Sequence, residues 1–184
     1  MSPTAEPIAT AIGSVEITLA LPADVDDVLD VLNEAARWLS ARGINQWPID
    51  GFPRELIAGD VSRGEVYLAR RQRRAVGTFT LKWSDELFWP GVAEEAGYIH
   101  RIAVRRDARG LGIELIEFAE RVTAASGRKL LRLDCFSGNV ALCSYYERAG
   151  FVRRADIEID PRDDATVPES TGRFIARQYE KSLH

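Results

Sequence analysis

With 184 residues, 46% hydrophobic and 28% charged, the chain suits one globular domain with a sizeable core. The net charge of −4, with arginines interleaved among acids, argues against nucleic acid as the partner. No apolar run reaches membrane-spanning length, so no membrane partner is expected.

The opening MSPTAEPIATAIGS lacks the basic-then-apolar order of a signal peptide and reads as a mobile leader over 1–14, ahead of a single domain over 15–184. VEITLA (Val15–Ala20) alternates like a first strand. Val25, Val28, Leu29, Leu32, Ala36 and Leu39 then recur at helical spacing, with Gly43 as a stop. INQWPIDGFPRELIAGDVSRG mixes turn residues with a short helical piece. EVYLARRQRRAVGTFTLKW reads as two strands around a charged turn, and GYIHRIAV (Gly97–Val104) as another strand. A helix is expected from about Gly112 to Ser126, with Gly127 as its left-handed cap. KLLRLDCF is a strand, and NVALCSYYERAG a helix capped by Asn139 and stopped by Gly150. FVRRADIEI and RFIARQYEKSL close the chain as strands, around an acidic loop from Asp160 to Thr171. The order implies a mixed α+β fold, one sheet with helices on its faces.

RRDARGLGIELIEFAERV (Arg105–Val122) is the informative stretch: a strand, then arginines and glycines, then a helix. The first N–H groups of a helix lack internal acceptors and carry the positive end of its dipole. Glycine permits close approach, and Arg105, Arg106 and Arg109 add charge, so the pattern favours a phosphate. The plain alternative is a tight turn with solvated arginines. A Walker loop is absent, and a dinucleotide fingerprint fails because Leu115 stands where a third glycine is needed.

Arg109-Gly110-Leu111-Gly112-Ile113-Glu114 resembles the acyl-CoA loop of the GNAT superfamily of N-acetyltransferases, Arg/Gln-x-x-Gly-x-Gly/Ala. NVALCSYYERAGFVRR resembles the family's later Asn-x-x-Ala-x-x-x-Tyr-Glu-Lys-x-Gly-Phe segment. Asn139, Tyr146, Glu147, Arg148, Gly150 and Phe151 fall in register, and Leu142 replaces a small residue. RWLSARGINQWP also looks like the first helical region of some bacterial members. The resemblance implies a GNAT-type α/β domain whose mostly antiparallel sheet has about six or seven strands flanked by helices. It also implies acetyl-CoA as cosubstrate and direct transfer of acetyl to a primary amine.

On that resemblance, backbone groups of Ile102, Ala103 and Val104 orient pantetheine and the thioester. The N–H groups of Gly110, Leu111, Gly112, Ile113 and Glu114 hold the pyrophosphate, Arg109 neutralises charge, and Asn139 touches the cofactor as well as capping its helix. Glu114 departs from the family's Gly or Ala, and its carboxylate is expected to turn toward solvent or an arginine. Tyr146 takes the general-acid position, with Tyr145 as fallback; a phenol with a pKa of about 10 suits protonation of a departing thiolate.

His100 is the candidate base, since its ordinary pKa of about 6.5 suits proton acceptance. Strand alternation places Tyr98, His100 and Ile102 on one face and Ile99, Arg101 and Ala103 on the other. Glu94 and Glu95 compete for the role. Asp24, Asp26, Asp27, Asp30 and Glu34 give the first helix an acidic face, and Trp38, Trp47, Trp83, Phe88 and Trp89 are candidates for a hydrophobic acceptor pocket, at least two of them as core.

Cys135 and Cys143 offer neither a disulfide framework nor metal-ligand spacing and are expected to be buried rather than to carry acyl groups. With only His100 and His184 as histidines, no metal site is expected. A small-molecule amine is the expected partner, with an amino acid, an antibiotic and a protein N-terminus open, homodimerisation open, and a cytoplasmic location. An acyl-CoA-binding sensor or interaction module without turnover is the alternative.

Overall fold

A computed structural model describes residues 7–10, 13–92 and 95–183. Among them lies one sheet in the order β1-β2-β3-β4-β5-β6-β8-β7. Its strands are β1 (Ile8–Thr10), β2 (Gly13–Leu19), β3 (Val66–Arg71), β4 (Arg74–Lys82), β5 (Ala96–Val104), β6 (Leu130–Phe136), β7 (Val152–Ile159) and β8 (Phe174–Ser182). Four helices flank it: α1 (Val25–Ser40), α2 (Arg54–Ser62), α3 (Leu111–Ala125) and α4 (Val140–Arg148). All strand pairs are antiparallel except β5 with β6, which α3 connects. A parallel pair needs such a crossover.

The sheet is wider than expected because residues 8–10 of the anticipated leader pair with Val15, Ser14 and Gly13. Gly13 and Ser14, the end of that leader, open β2, and residues 1–6, 11 and 12 lie outside the described residues.

Alternation along β3 builds two cores. Tyr67 and Ala69 join Val76, Phe79 and the buried side of α3, whereas Val66 and Leu68 meet Val28, Leu32 and Ile57 from α1 and α2. The helix periodicity predicted for the first helix is what buries Val25, Val28, Leu32, Ala36 and Leu39. A third cluster, around Phe88, Trp89, Tyr98 and Ala176, lies beside them.

The alternation predicted for β5 fails at its centre. Thr78 pairs with Ala103 and Thr80 with His100, so Arg101 and Ile102 together oppose Phe79. Arg101, one of the two residues opposite Phe79, takes φ 49°, a left-handed backbone that non-glycine residues seldom adopt. His100 therefore lies near Phe88 while the next side chain, Arg101, reaches Asp60 on α2. Ile102 does not share His100's face; it packs with Val104 against the α3 core, and Ala103 against α1.

Asp60 on α2 is completely buried, and Arg101, Arg63 and Lys82 surround it. Removing one member of a buried ion pair strands the others without compensation. Asp60→Ala is expected to lower unfolding free energy by about 3–5 kcal/mol, measured by urea denaturation.

Candidate active site

The parallel pairing of β5 and β6 stops at Ile99–Leu133. Beyond it, β5 stays with β4 while Asp134, Cys135 and Phe136 stay with β8. The strands part, and a cleft of about 850 Å³ opens between them. The cleft-facing edge of β5 from His100 onward has no strand partner in β6, so its backbone groups are available to an extended ligand.

At one end of the cleft the chain turns through Arg106–Ala108 and enters α3 at Leu111. Gly110 adopts φ 103°, a conformation that L side chains rarely take, and no side chain caps the helix. The first N–H groups of α3 thus remain open to a ligand. Arg109, Gly110, Gly112 and Ile113 line the cleft. Leu111 does not: its side chain is fully buried in the core. A Cβ on Gly112 would stand 2.8 Å from the Tyr145 hydroxyl, so glycine there admits that ring.

The arginines divide by role. Arg105 donates to the Ala75 carbonyl and to Glu34, at 2.8 and 2.6 Å, and is held by the protein itself. Arg106 lies over the Trp38 ring at 4.1 Å while its N–H donates to Glu34. Arg109 is exposed and makes no ion pair among the described residues. Arg148, from α4, also lines the cleft; it sits within the second motif but had not been singled out as a ligand.

Glu114 contradicts the expectation set for it. It is half-buried, Oε2 has no hydrogen-bond partner, and no arginine pairs with it among the described residues. It turns neither outward nor to a guanidinium. Burial raises the Tyr145 pKa first, and the charge of Glu114 adds to the effect.

Tyr146 is buried against Tyr145, Phe151 and Tyr179 and also borders the cleft. Burial, with nearby Cys135, pushes its pKa well above the usual phenol value. It therefore stays protonated at neutral pH. Asn139 also borders the cleft, and its side-chain oxygen accepts from the Leu142 N–H at 3.2 Å, as an N-cap does. Ile102, Ala103, Val104 and His100 are all in the wall.

At the other end, His100 Nε2 stands 3.4 Å from Asp85 Oδ2 without hydrogen-bonding geometry; both atoms are buried and unpartnered. Burial, then the charges of Arg101 and Lys82, push the imidazole pKa down to about 3, so the nearby carboxylate does not hold it charged. Burial pushes Asp85 up to about 6. Asp134 joins them, its pKa raised well above normal by burial and then by Asp85 and Asp164. Asp85, Asp134 and Asp164 were not anticipated; they come from separate stretches with no local motif. Glu95 is exposed, and Glu94 lies outside the described residues. Of the aromatic candidates, Trp38, Trp47 and Phe88 line the cleft. Trp83 packs beside the main core, and Trp89 is buried against Tyr98. Cys135 and Cys143 are buried, free, and 3.5 Å apart.

The family model described as "Acetyltransferase (GNAT) family" matches residues 31–151. The chain belongs to the GNAT acetyltransferase family. It is 30% identical over 137 residues to the uncharacterized N-acetyltransferase YesJ of Bacillus subtilis (strain 168), covering 70% of this chain and 76% of that relative. A GNAT family acetyltransferase from Listeria monocytogenes 4b F2365 superposes with a TM-score of 0.75 at 26% identity, over 97% of this chain and 100% of that one. PaiA N-acetyltransferase from Thermoplasma acidophilum, solved in complex with coenzyme A, superposes at 0.66 with 19% identity, over 92% and 99% of the two chains. This GNAT chain is thus an acetyl-CoA-dependent acyltransferase. No helix among its described residues is long and apolar enough to cross a membrane.

Proposed function

We propose that this GNAT enzyme transfers acetyl from acetyl-CoA directly to the primary amine of a small molecule in the cytoplasm. The observation that carries this reading is the parting of β5 from β6 between an uncapped helix N-terminus and a protonated tyrosine. The N–H groups of Gly110 to Glu114 and the Arg109 guanidinium receive the pyrophosphate. The free edge from Ile102 to Val104 pairs with the pantetheine amides and aims the thioester into the cleft, and Asn139 lies beside it. That a structural neighbour, PaiA, was solved with coenzyme A supports the placement.

In the reaction, the acceptor enters as its ammonium ion and gives one proton to the His100–Asp85 pair. Its lone pair forms the C–N bond at the thioester carbon. Collapse of the tetrahedral adduct breaks the C–S bond, and Tyr146 protonates the thiolate. The second amine proton returns to the Tyr146 phenolate, so the products are the amide, free thiol and one released proton. Asp85, rather than the imidazole, has the proton affinity nearer neutrality.

Thiol release measured with a panel of primary amines tests the activity; acetyl-CoA binding with no release from any amine supports the sensor reading instead. Tyr146→Phe is expected to lower kcat at least tenfold with acetyl-CoA affinity nearly intact, because the hydroxyl acts only as thiolate charge develops. An unchanged kcat returns Tyr146 to a packing role.

The base must be ionised to accept a proton. Corrected for acceptor ionisation, kcat/KM is expected to rise with pH through about 6, and Asp85→Asn to remove that limb.

Glu114 places a poorly solvated negative charge in the first turn of α3. Glu114→Gln is expected to tighten CoA binding several-fold at low salt and less at high salt, by calorimetry, since screening weakens charge repulsion. Weaker binding in this variant assigns the carboxylate to positioning Tyr145.

A further inference from the structure

Two thiols meet where β6 passes under α4. Cys135 on β6 and Cys143 on α4 are both buried and free, with their sulfurs 3.5 Å apart. Cys135 borders the cleft; Cys143 does not, and its Sγ stands 4.0 Å from the Phe136 carbonyl. The acetyl-transfer steps use neither thiol. A disulfide needs its sulfurs at about 2.05 Å, so closure asks for roughly 1.5 Å of approach.

That approach bears on the site. Cys143 lies one helical turn before Tyr146 and on the same side of α4. The C-terminal end of α4 is tied to β8: the Tyr179 hydroxyl donates to Glu147 at 2.9 Å, and Lys181 Nζ donates to the Ala149 carbonyl at 2.9 Å. Drawing Cys143 toward β6 therefore tilts the helix about its tied end and carries Tyr146 with it. A misplacement of about 1 Å can cost a reaction about a hundredfold in rate.

We propose that Cys135 and Cys143 are a peroxide-sensitive thiol pair whose disulfide displaces Tyr146 and slows the enzyme. The slowing rests on the acetyl-transfer reading; the bond and the displacement do not. Hydrogen peroxide is small enough to reach Cys135 through the cleft. The Cys135 sulfur attacks one peroxide oxygen, the O–O bond breaks, and the hydroxide leaves with the thiol proton as water. Cys135 is then a sulfenic acid. The Cys143 sulfur attacks it, the S–S bond forms, and the sulfenic hydroxyl leaves with the Cys143 proton as a second water. The two thiols have lost two electrons and the peroxide has gained them. Burial, then the neighbouring Cys143, raises the Cys135 pKa, so little thiolate exists at neutral pH and the pair answers sustained exposure rather than a brief pulse.

The test uses the full chain, reduced and then exposed to excess hydrogen peroxide. Arg132 and Arg148 bracket both cysteines, so trypsin releases them on one peptide and mass spectrometry reads the bond there as a loss of two hydrogens. That loss is expected in the wild type, reversed by dithiothreitol. It is expected to be absent from Cys143→Ser, where dimedone captures Cys135 as the sulfenic acid. Hydrogen exchange over Val140–Arg148 is expected to change at least threefold on oxidation. With an amine that is turned over, peroxide is expected to lower wild-type kcat at least fivefold, reversibly, and to leave kcat of Cys135→Ser unmoved. Should a serine variant not fold, the alanine variant serves in the same measurements. Retention of both thiols in the folded protein, or oxygen adducts on that peptide without hydrogen loss, overturns the pair. A disulfide form with unchanged exchange and unchanged kcat overturns the displacement. If the bond forms, exchange changes and no amine is turned over even by the reduced protein, the thiol pair stands and the acetyl-transfer reading alone fails.

Discussion

The cleft depends on one backbone event, the departure of β5 from β6 after Ile99. Two parallel strands with compatible edges gain by continuing to pair, so something must hold them apart. The bulge at Arg101 supplies the local part, because the additional residue bends the strand and increases its twist. The ion cluster at Asp60 supplies the long-range part. It draws the Arg101 side chain to α2 and keeps the bulge from relaxing into a regular ladder. On the other side β6 is committed to β8 through a register that runs from Leu130 to Phe136. The free edge of β5 and the carboxylate of Asp134 are both consequences of that geometry.

The opened cleft is electrostatically divided. Arg106, Arg109 and Arg148 line it together with the uncapped N-terminus of α3, whereas Asp134 and Asp164 line it with His100. The arginine half suits the polyanionic cofactor proposed above. Tyr146 belongs to a third environment, packed among aromatic rings, where burial keeps the phenol protonated, as the acid role proposed for it requires.

What the sequence disclosed follows from how local each feature is. The glycine turn into α3 and the Asn139 cap are written within a few consecutive residues, and both form as expected. The heptad-like spacing of Val25, Val28, Leu32 and Leu39 likewise determines which side of α1 is buried. The face of Ile102 was misread because period-two alternation assumes an unbroken strand, and nothing in YIHRIAV announces a bulge. The acid cluster was invisible for a different reason. Residues 85, 100 and 134 meet only after α3 has carried the chain across the sheet. Leu111 divides its parts: the side chain anchors the first helical turn in the core, and only its backbone N–H is left to the loop. The pairing of Ile8–Thr10 with β2 was hidden by a composition that resembles a loose leader.

Glu34 shows how an apparently plain solvated face contributes to the site. It belongs to the acidic stripe of α1, yet its two carboxylate oxygens accept from the Arg105 guanidinium and from the backbone N–H of Arg106. Burial works against its charge, but those two donors together hold its pKa below the usual carboxylate value. The stripe divides accordingly: Asp24 and Asp27 hold Arg70, Asp26 holds Arg54, and Glu34 alone reaches the loop between β5 and α3. That bond removes Arg105 from the supply of phosphate ligands and converts it into a strut, with the Ala75 carbonyl as its second support. The loop is therefore set by protein contacts alone, and Arg109, left without an ion pair among the described residues, has no protein contact to break for the phosphate role proposed for it. Preorganisation of this kind lowers the ordering cost of binding, which is why three neighbouring arginines, alike in charge, differ so much in what they can do.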